Sequence, residues 1–216
     1  MKYQLAIFDL DGTILNTLKD LYLAMNYALR EKNFPERSLL EIKSFVGNGI
    51  LKLIKRSVPV GTSDEEIMQI HQIFREYYSE HCKDNTAPYS DIIEVIQKLR
   101  NAGIKTAVIS NKIDSAVKIL CQDYFPNLFD IVTGEKQGVP RKPAPDSVQA
   151  ILQTLHYTSE QAIYIGDSEV DIQTAKNSGL SCISVAWGFR DEEFLKANGA
   201  GQIIFEPSAL LNLLLS

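Results

Sequence analysis

From Pro88 onward, short apolar runs alternate with helix-length segments, and this alternation constrains the fold more than any other feature of the chain. Ile104 to Ile109, Phe129 to Val132, Ala162 to Ile165 and Ser181 to Ala186 have the β-branched and aromatic content of buried strands. A last short strand is expected near Ile203-Ile204. Between these runs lie helical stretches at about Asp91 to Arg100, Asp114 to Gln122 and Asp146 to Leu155, with another ending at Asn177. Gly103 sits where a helix C-cap glycine belongs. Strands joined through helices of that length pair in parallel, with helices on both faces of the sheet. The expected class is α/β, built on a parallel sheet.

The N-terminus adds one more strand, Leu5 to Phe8, which stops at Asp9-Leu10-Asp11-Gly12-Thr13. From about residue 15 to 85 the pattern is helical without a strand. Leu18, Leu21, Tyr22, Met25, Ala28 and Leu29 recur at helical spacing up to Asn33-Phe34-Pro35. Ser38 caps a short helix, Val46-Gly47-Asn48-Gly49 breaks it, and Pro59 and Gly61 interrupt again. Ser63 with Glu66 three residues on forms a capping-box signature ahead of Ile67, Ile70, Phe74 and Tyr77. The expected organisation is a core domain of residues 1–14 and 86–216, with an all-helical domain of residues 15–85 inserted after the first strand. A length of 216 residues suits one main domain with a smaller insertion.

Composition narrows the partners. The net charge is −5 and no cluster of Lys and Arg resembles a phosphate-backbone footprint, so nucleic acid is not expected. No apolar run is long enough to span a bilayer, so no membrane partner is expected. Met1-Lys2-Tyr3-Gln4 runs straight into a strand, without a signal peptide's apolar region. Cys82, Cys121 and Cys182 are scattered without CxxC spacing and read as reduced structural thiols of a cytoplasmic protein. His71, His81 and His156 read as surface or packing residues, and Trp187 as a core or rim aromatic.

Four positions carry the chemistry. Asp9 and Asp11 follow a strand at i, i+2; they suit a divalent cation or a division of nucleophile and acid/base work, but also a plain Asp-Gly turn. Ser110, with Asn111, follows the strand ending at Ile109, as a hydroxyl for a ligand or as a turn residue. Lys142 lies in Pro140-Arg141-Lys142-Pro143-Ala144-Pro145, where prolines restrict the backbone around a charge that could equally be solvated. Asp167 and Asp171 follow the strand at Gly166 and could share one side of a helical turn or complement its N-terminus. In a parallel sheet all four positions meet at one edge. Carboxylates gathered there repel one another unless a cation intervenes, and Mg²⁺ held by Asp9, Asp11 and Asp167 answers that repulsion. With Lys142 and Ser110 beside it, such a site suits phosphoryl transfer.

These segments resemble, in order, the four motifs of the haloacid dehalogenase-like superfamily: Asp9-Leu10-Asp11-Gly12-Thr13, Ser110, Lys142 and Gly166-Asp167-Ser168-Glu169-Val170-Asp171. The resemblance spans essentially the whole chain and implies a Rossmann-like three-layer core with a helical cap. Asn16 to Leu21, Val46 to Gly49 and Ala186-Trp187-Gly188-Phe189 are most similar to phosphoglycolate phosphatases within it. The resemblance implies Asp9 as nucleophile, forming an aspartyl-phosphate, and Asp11 as acid and then base. It implies Mg²⁺ bound by Asp9, the Asp11 backbone carbonyl and Asp167, with Asp171 orienting that shell. Ser110 and Asn111 would bind the phosphoryl group, Lys142 would offset charge, and Thr13 would brace the loop.

The acid at position 11 argues against dehalogenation, because a halide needs no proton. Position 16 is Asn where relatives often have Asp, and an effect on the hinge or cap is expected there. The cap would present specificity residues, with Gly47, Asn48 and Gly49 as candidates. The expected enzyme is a Mg²⁺-dependent phosphatase of a small phosphorylated metabolite, first 2-phosphoglycolate, as monomer or homodimer. A β-phosphoglucomutase-like phosphomutase, a pyrophosphatase or another small-phosphoester phosphatase shares every motif. A non-enzymatic phospho-sensing module shares the acids, hydroxyl and lysine, but not the helical insertion.

Overall fold

The structure, a computed structural model, describes residues 2–216. In chain order the elements are β1 (Leu5–Phe8), β2 (Leu15–Asn16), α1 (Leu18–Glu31), α2 (Leu39–Phe45), α3 (Ile50–Ser57), α4 (Asp64–His81) and β3 (Ala87–Pro88). They continue as α5 (Ile92–Asn101), β4 (Lys105–Ile113), α6 (Asp114–Tyr124), β5 (Ile131–Glu135), α7 (Asp146–Leu155) and β6 (Ala162–Gly166). The chain closes with α8 (Glu169–Ser178), β7 (Ser181–Val185), α9 (Glu192–Ala197), β8 (Gln202–Ile204) and α10 (Ala209–Leu215). Two compact units result: one runs to Leu15 and resumes at Pro88–Ser216, and the other is Asn16–Ala87.

In the first unit six strands lie in the order β5-β4-β1-β6-β7-β8 and every pair is parallel. The first strand of the chain is central because both its faces are apolar. Leu5 and Ile7 join Ala107, Ile109, Val148, Ile151 and Tyr164 in one buried cluster. Ala6 and Phe8 join Ile96, Leu99, Val117, Leu120 and Leu210 in another. Alternate side chains of a strand leave opposite faces, so this split defines a three-layer α/β core. Each of the large side chains in β1 contributes roughly 1.5–3 kcal/mol through that burial.

Several elements differ from the expectation drawn from the sequence. β4 does not stop at Ile109 but continues through Ser110, Asn111 and Lys112 to Ile113. Its pairing with β5 slips there: the four steps from Ile109 to Ile113 face the two from Thr133 to Glu135. Such a bulge bends the strand and re-aims its side chains at the carboxyl end of the sheet. β5 begins at Ile131 instead of Phe129, because Phe129 packs edge-on against Phe8 and Phe125. The helices α9 and α10 were not anticipated. The stretch expected to be wholly helical starts with the two-residue strand β2, which pairs with β3 where the chain returns.

In the helical unit α1 packs against α4, and the capping boxes Ser38/Glu41 and Ser63/Glu66 open α2 and α4. Asp20, buried in the first turn of α1, accepts hydrogen bonds from the backbone N–H groups of Asn85 and Thr86, and from the Thr86 hydroxyl. Asn16 Oδ1 accepts from Leu18 N at 3.4 Å, a local contact at the start of α1. Among the described residues, no helix is long and apolar enough to cross a membrane.

The amino edge of the sheet is held by Asp130, which accepts from Arg100 Nη1 at 2.6 Å, Lys105 Nζ at 2.8 Å and Thr106 N at 3.1 Å. Burial pushes its carboxyl up, but these donors outweigh burial and hold it below its ordinary value of 3.8. A carboxyl lowered by folding stabilises the protein above its unfolded value and loses that contribution as pH falls through the folded one. Asp130→Asn is therefore expected to cost about 1–3 kcal/mol at pH 7. The difference from wild type should shrink as pH drops below 3.8, which urea unfolding at pH 7 and at pH 3 checks.

Candidate active site

The carboxyl ends of β1, β4 and β6 lie side by side, so the segments that follow them converge. Asp9 continues β1, and its N–H donates to Ile165 O at 2.9 Å, which fixes it beside the end of β6. Lys142 precedes α7 and is buried. Its ammonium donates to Asp9 Oδ1 at 2.7 Å, Asp171 Oδ1 at 2.7 Å and Tyr164 Oη at 3.1 Å. An ammonium has three N–H groups, and these acceptors use all of them. Tyr164 Oη in turn donates to Asp171 Oδ1 at 3.3 Å.

Asp171 meets both readings open in the sequence. Its Oδ2 accepts from Ser168 N at 3.2 Å and Ser168 Oγ at 2.6 Å, closing a capping box at the start of α8. Its Oδ1 meanwhile pairs with Lys142. Asp167 Oδ2 accepts from Phe189 N at 2.7 Å, and Thr13 Oγ1 donates to Asp167 Oδ1 at 3.4 Å. Thr13 is fully buried, and its carbonyl accepts from Trp187 Nε1 at 3.0 Å. Trp187, partly buried against the core, is thus also fastened to the first loop.

Asp9, Asp167 and Asp171 form a group of three buried carboxylates whose ligand oxygens lie within 4.8 Å of one another. Burial drives Asp9 well above the ordinary aspartate value; Lys142 pulls it back, and Asp171 and Asp167 push it further up. Asp167 is raised to about 7, first by burial and then by Asp171, against the Phe189 N–H, Arg190 and Lys142. Burial opposes the charge on Lys142, yet Asp171 and Asp9 more than compensate and hold its ammonium well above the usual lysine value. The set is rich in hard oxygen donors and short of positive charge, which fits a divalent cation.

Asp11 points its carboxylate elsewhere. Its Oδ1 pairs with Lys112 Nζ at 2.6 Å, and its Oδ2 accepts from Ser110 Oγ at 3.3 Å. Its side chain is outside the group of three carboxylates, whereas Asp171 is inside it. Asn111, next to Ser110, donates from Nδ2 to Lys142 O at 3.2 Å and so ties β4 to the lysine loop. Gly47, Asn48 and Gly49 lie in the helical unit, between α2 and α3.

Sequence reasoning missed Lys112, Tyr164 and Phe189. Ser110 and Lys112 alternate along β4, but their polarity conceals that the strand continues past Ile109, so the sequence leaves no local signal for Lys112. Tyr164 read as one more core aromatic, although a buried phenol needs a polar partner. Phe189 acts through its backbone N–H and leaves no side-chain signal.

Close approach explains two glycines. Gly12 has φ +90°, in the left-handed region, and a Cβ there would overlap the Asp167 carboxylate. A Cβ on Gly188 would overlap Asp167 Cβ, Asp167 Oδ2 and the Gly12 carbonyl oxygen. Gly188→Ala is expected to displace Asp167, lowering kcat/KM by about 10²-fold. Overpacking should also cost about 1–3 kcal/mol, measured by urea unfolding alongside the kinetics.

The profile of the haloacid dehalogenase-like hydrolases matches residues 6–185. A phosphoglycolate phosphatase of Aquifex aeolicus is 30% identical over 184 residues, covering 85% of this chain and 84% of that one. A phosphoglycolate phosphatase of Rhodobacter capsulatus is 32% identical over 188 residues, with 85% and 84% covered. Among solved structures, one from Lactobacillus delbrueckii subsp. bulgaricus, provisionally named a phosphoglycolate phosphatase, superposes with a TM-score of 0.94. It is 37% identical, and 99% of this chain and 98% of that one are covered.

Proposed function

Because this chain belongs to the haloacid dehalogenase-like hydrolases, we propose that it hydrolyses a small phosphorylated metabolite, first 2-phosphoglycolate, through an aspartyl-phosphate on Asp9. The chain is a phosphoric monoester hydrolase, of the phosphoglycolate phosphatase type. The observation that carries the finer reading is the Lys142 ammonium bridging Asp9 and Asp171 at 2.7 Å each, beside Asp167. One carboxylate is held ready at a site that can also receive a phosphoryl group.

Asp9 Oδ attacks phosphorus as the bond to the leaving oxygen breaks, and Asp11 gives that oxygen its proton. In the second half, water transfers a proton to Asp11, its oxygen bonds to phosphorus, and the bond to Asp9 breaks to free phosphate. Ser110 Oγ and the N–H groups near Leu10, Asp11 and Asn111 hold the phosphoryl oxygens. Lys142 offsets charge on Asp9, and Thr13 steadies Asp167. Asp9, Asp167 and the Asp11 carbonyl would hold Mg²⁺, with Asp171 orienting the set. When bound, the cation neutralises phosphoryl charge and orients the group for in-line attack. Gly47, Asn48 and Gly49 would choose among substrates.

A panel of small phosphoesters with free-phosphate detection tests this reading. The highest kcat/KM is expected on 2-phosphoglycolate, with activity removed by EDTA and restored by Mg²⁺. Isomerisation of β-glucose 1-phosphate without phosphate release would make the protein a phosphomutase. A long-lived phosphoenzyme that never turns over would make it a phospho-sensing module.

A further inference from the structure

The buried ion pair between Lys112 and Asp11 has no part in the four motifs. Their side chains are 6% and 15% exposed, and Lys112 Nζ stands 2.6 Å from Asp11 Oδ1. Lys112 N also donates to Ser110 Oγ at 3.1 Å, and that hydroxyl donates to Asp11 Oδ2 at 3.3 Å. Both oxygens of Asp11 are therefore engaged by two alternate residues of one strand, at the bulge where β4 loses register with β5. A buried ion pair is weak evidence for stability, since apolar residues of the same volume often serve as well or better. A charge retained at such a place, on a group that must move protons, points to orientation and charge control.

We propose that Lys112 is a positioning residue for Asp11. Its ammonium holds the carboxylate turned away from Asp9, Asp167 and Asp171. It also meets the negative charge that appears on Asp11 when the proton passes to the leaving oxygen. The inference rests on Asp11 being the acid of a phosphatase. A purely structural lysine would affect all substrates alike. One that acts through proton donation matters when the leaving oxygen is a poor leaving group and hardly matters when it departs as a stable phenolate.

The test compares kcat/KM for the best alkyl phosphate of the substrate panel and for p-nitrophenyl phosphate, in wild type, Lys112→Met and Lys112→Arg. Lys112→Met is expected to lose about 10²-fold on the alkyl ester and far less on the aryl ester. Lys112→Arg keeps the charge and should keep the wild-type ratio between the two esters, even if both slow. If Lys112→Met does not fold, as judged by circular dichroism, Lys112→Gln, which also removes the charge, is read by the same ratio: a selective loss on the alkyl ester upholds the proposal and equal losses overturn it. Equal losses on both esters in Lys112→Met, or a collapsed ratio in Lys112→Arg, would overturn the proposal while leaving the phosphatase reading intact. A wild type that releases phosphate from neither ester would sink that reading and this inference together.

Discussion

Asp9→Asn is expected to lower kcat by about 10⁴-fold or more, because an amide oxygen does not replace a carboxylate as nucleophile. The fold should survive. Asn has nearly the shape of Asp, its Oδ1 still accepts from Lys142, and Asp171 remains as the ion partner. Stability without added divalent cation should even rise relative to wild type as pH increases. Burial lifts the Asp9 carboxyl well above its ordinary 3.8, so the folded state binds this proton more tightly than the unfolded one. Stability from that proton is present below 3.8 and declines as pH climbs toward the folded value, a decline the amide escapes. Kinetics and urea unfolding at pH 5 and pH 8 measure both effects. Turnover within a hundredfold of wild type would refute the nucleophile assignment.

Lys142→Met has the second largest expected effect and, unlike the first, reaches stability and activity together. Methionine matches the length of the stem but leaves Asp9, Asp171 and Tyr164 Oη without their shared donor. Removing one partner of a buried ion pair costs about 3–5 kcal/mol. The loss of a charge facing the phosphoryl group should lower kcat by roughly 10²–10³-fold. Lys142→Arg should not rescue, because a planar fork cannot reach three acceptors placed for a compact ammonium. Adding Asp9→Asn to Lys142→Met should restore part of the stability, since one stranded charge is then gone. Urea midpoints for the two single variants and the double variant close the cycle. A Lys142→Met protein as stable as wild type would contradict the buried ion-pair account.

The fold was readable in the sequence wherever one period dominated. Leu5 to Phe8 and Ala162 to Ile165 are apolar on both faces, and central parallel strands are the one setting that buries both. Ser38 as a cap and the Ser63/Glu66 box announced helix starts through local chemistry; the structure places caps at both and adds Glu41 as the partner of Ser38. What stayed hidden depended on tertiary context. Ser110, Asn111 and Lys112 are polar, so nothing local says that β4 continues through them; the bulge against β5 keeps them in the strand. Phe129 carries strand-like character that is used for aromatic packing. The site shows the same divide. Asp9, Asp167 and Lys142 could be inferred because strand ends in a parallel sheet share an edge. The contacts of Lys112, Tyr164 and the Phe189 N–H could not, because each joins segments far apart in the chain: Lys112 with Asp11, Tyr164 with Lys142 and Phe189 with Asp167.

The central place of β1 also sets a timetable for synthesis. Phe8 pairs with Val108 on one side and Ile165 on the other, partners that follow it by 157 residues in the farther case (165 − 8). At 5–20 residues per second, a ribosome delivers that second partner about 8–30 s after β1 has been made. The helices of Asn16–Ala87 contact one another within a short stretch of chain and can form in the meantime. A nascent chain halted near residue 160 should thus show protected amides in α1 and α4 while Leu5–Phe8 still exchanges freely, and early protection of β1 would contradict this order. Asp9 meets Lys142, Asp167 and Asp171 only once those residues have been made, so a chain halted before them carries the proposed nucleophile without the partners that complete its site.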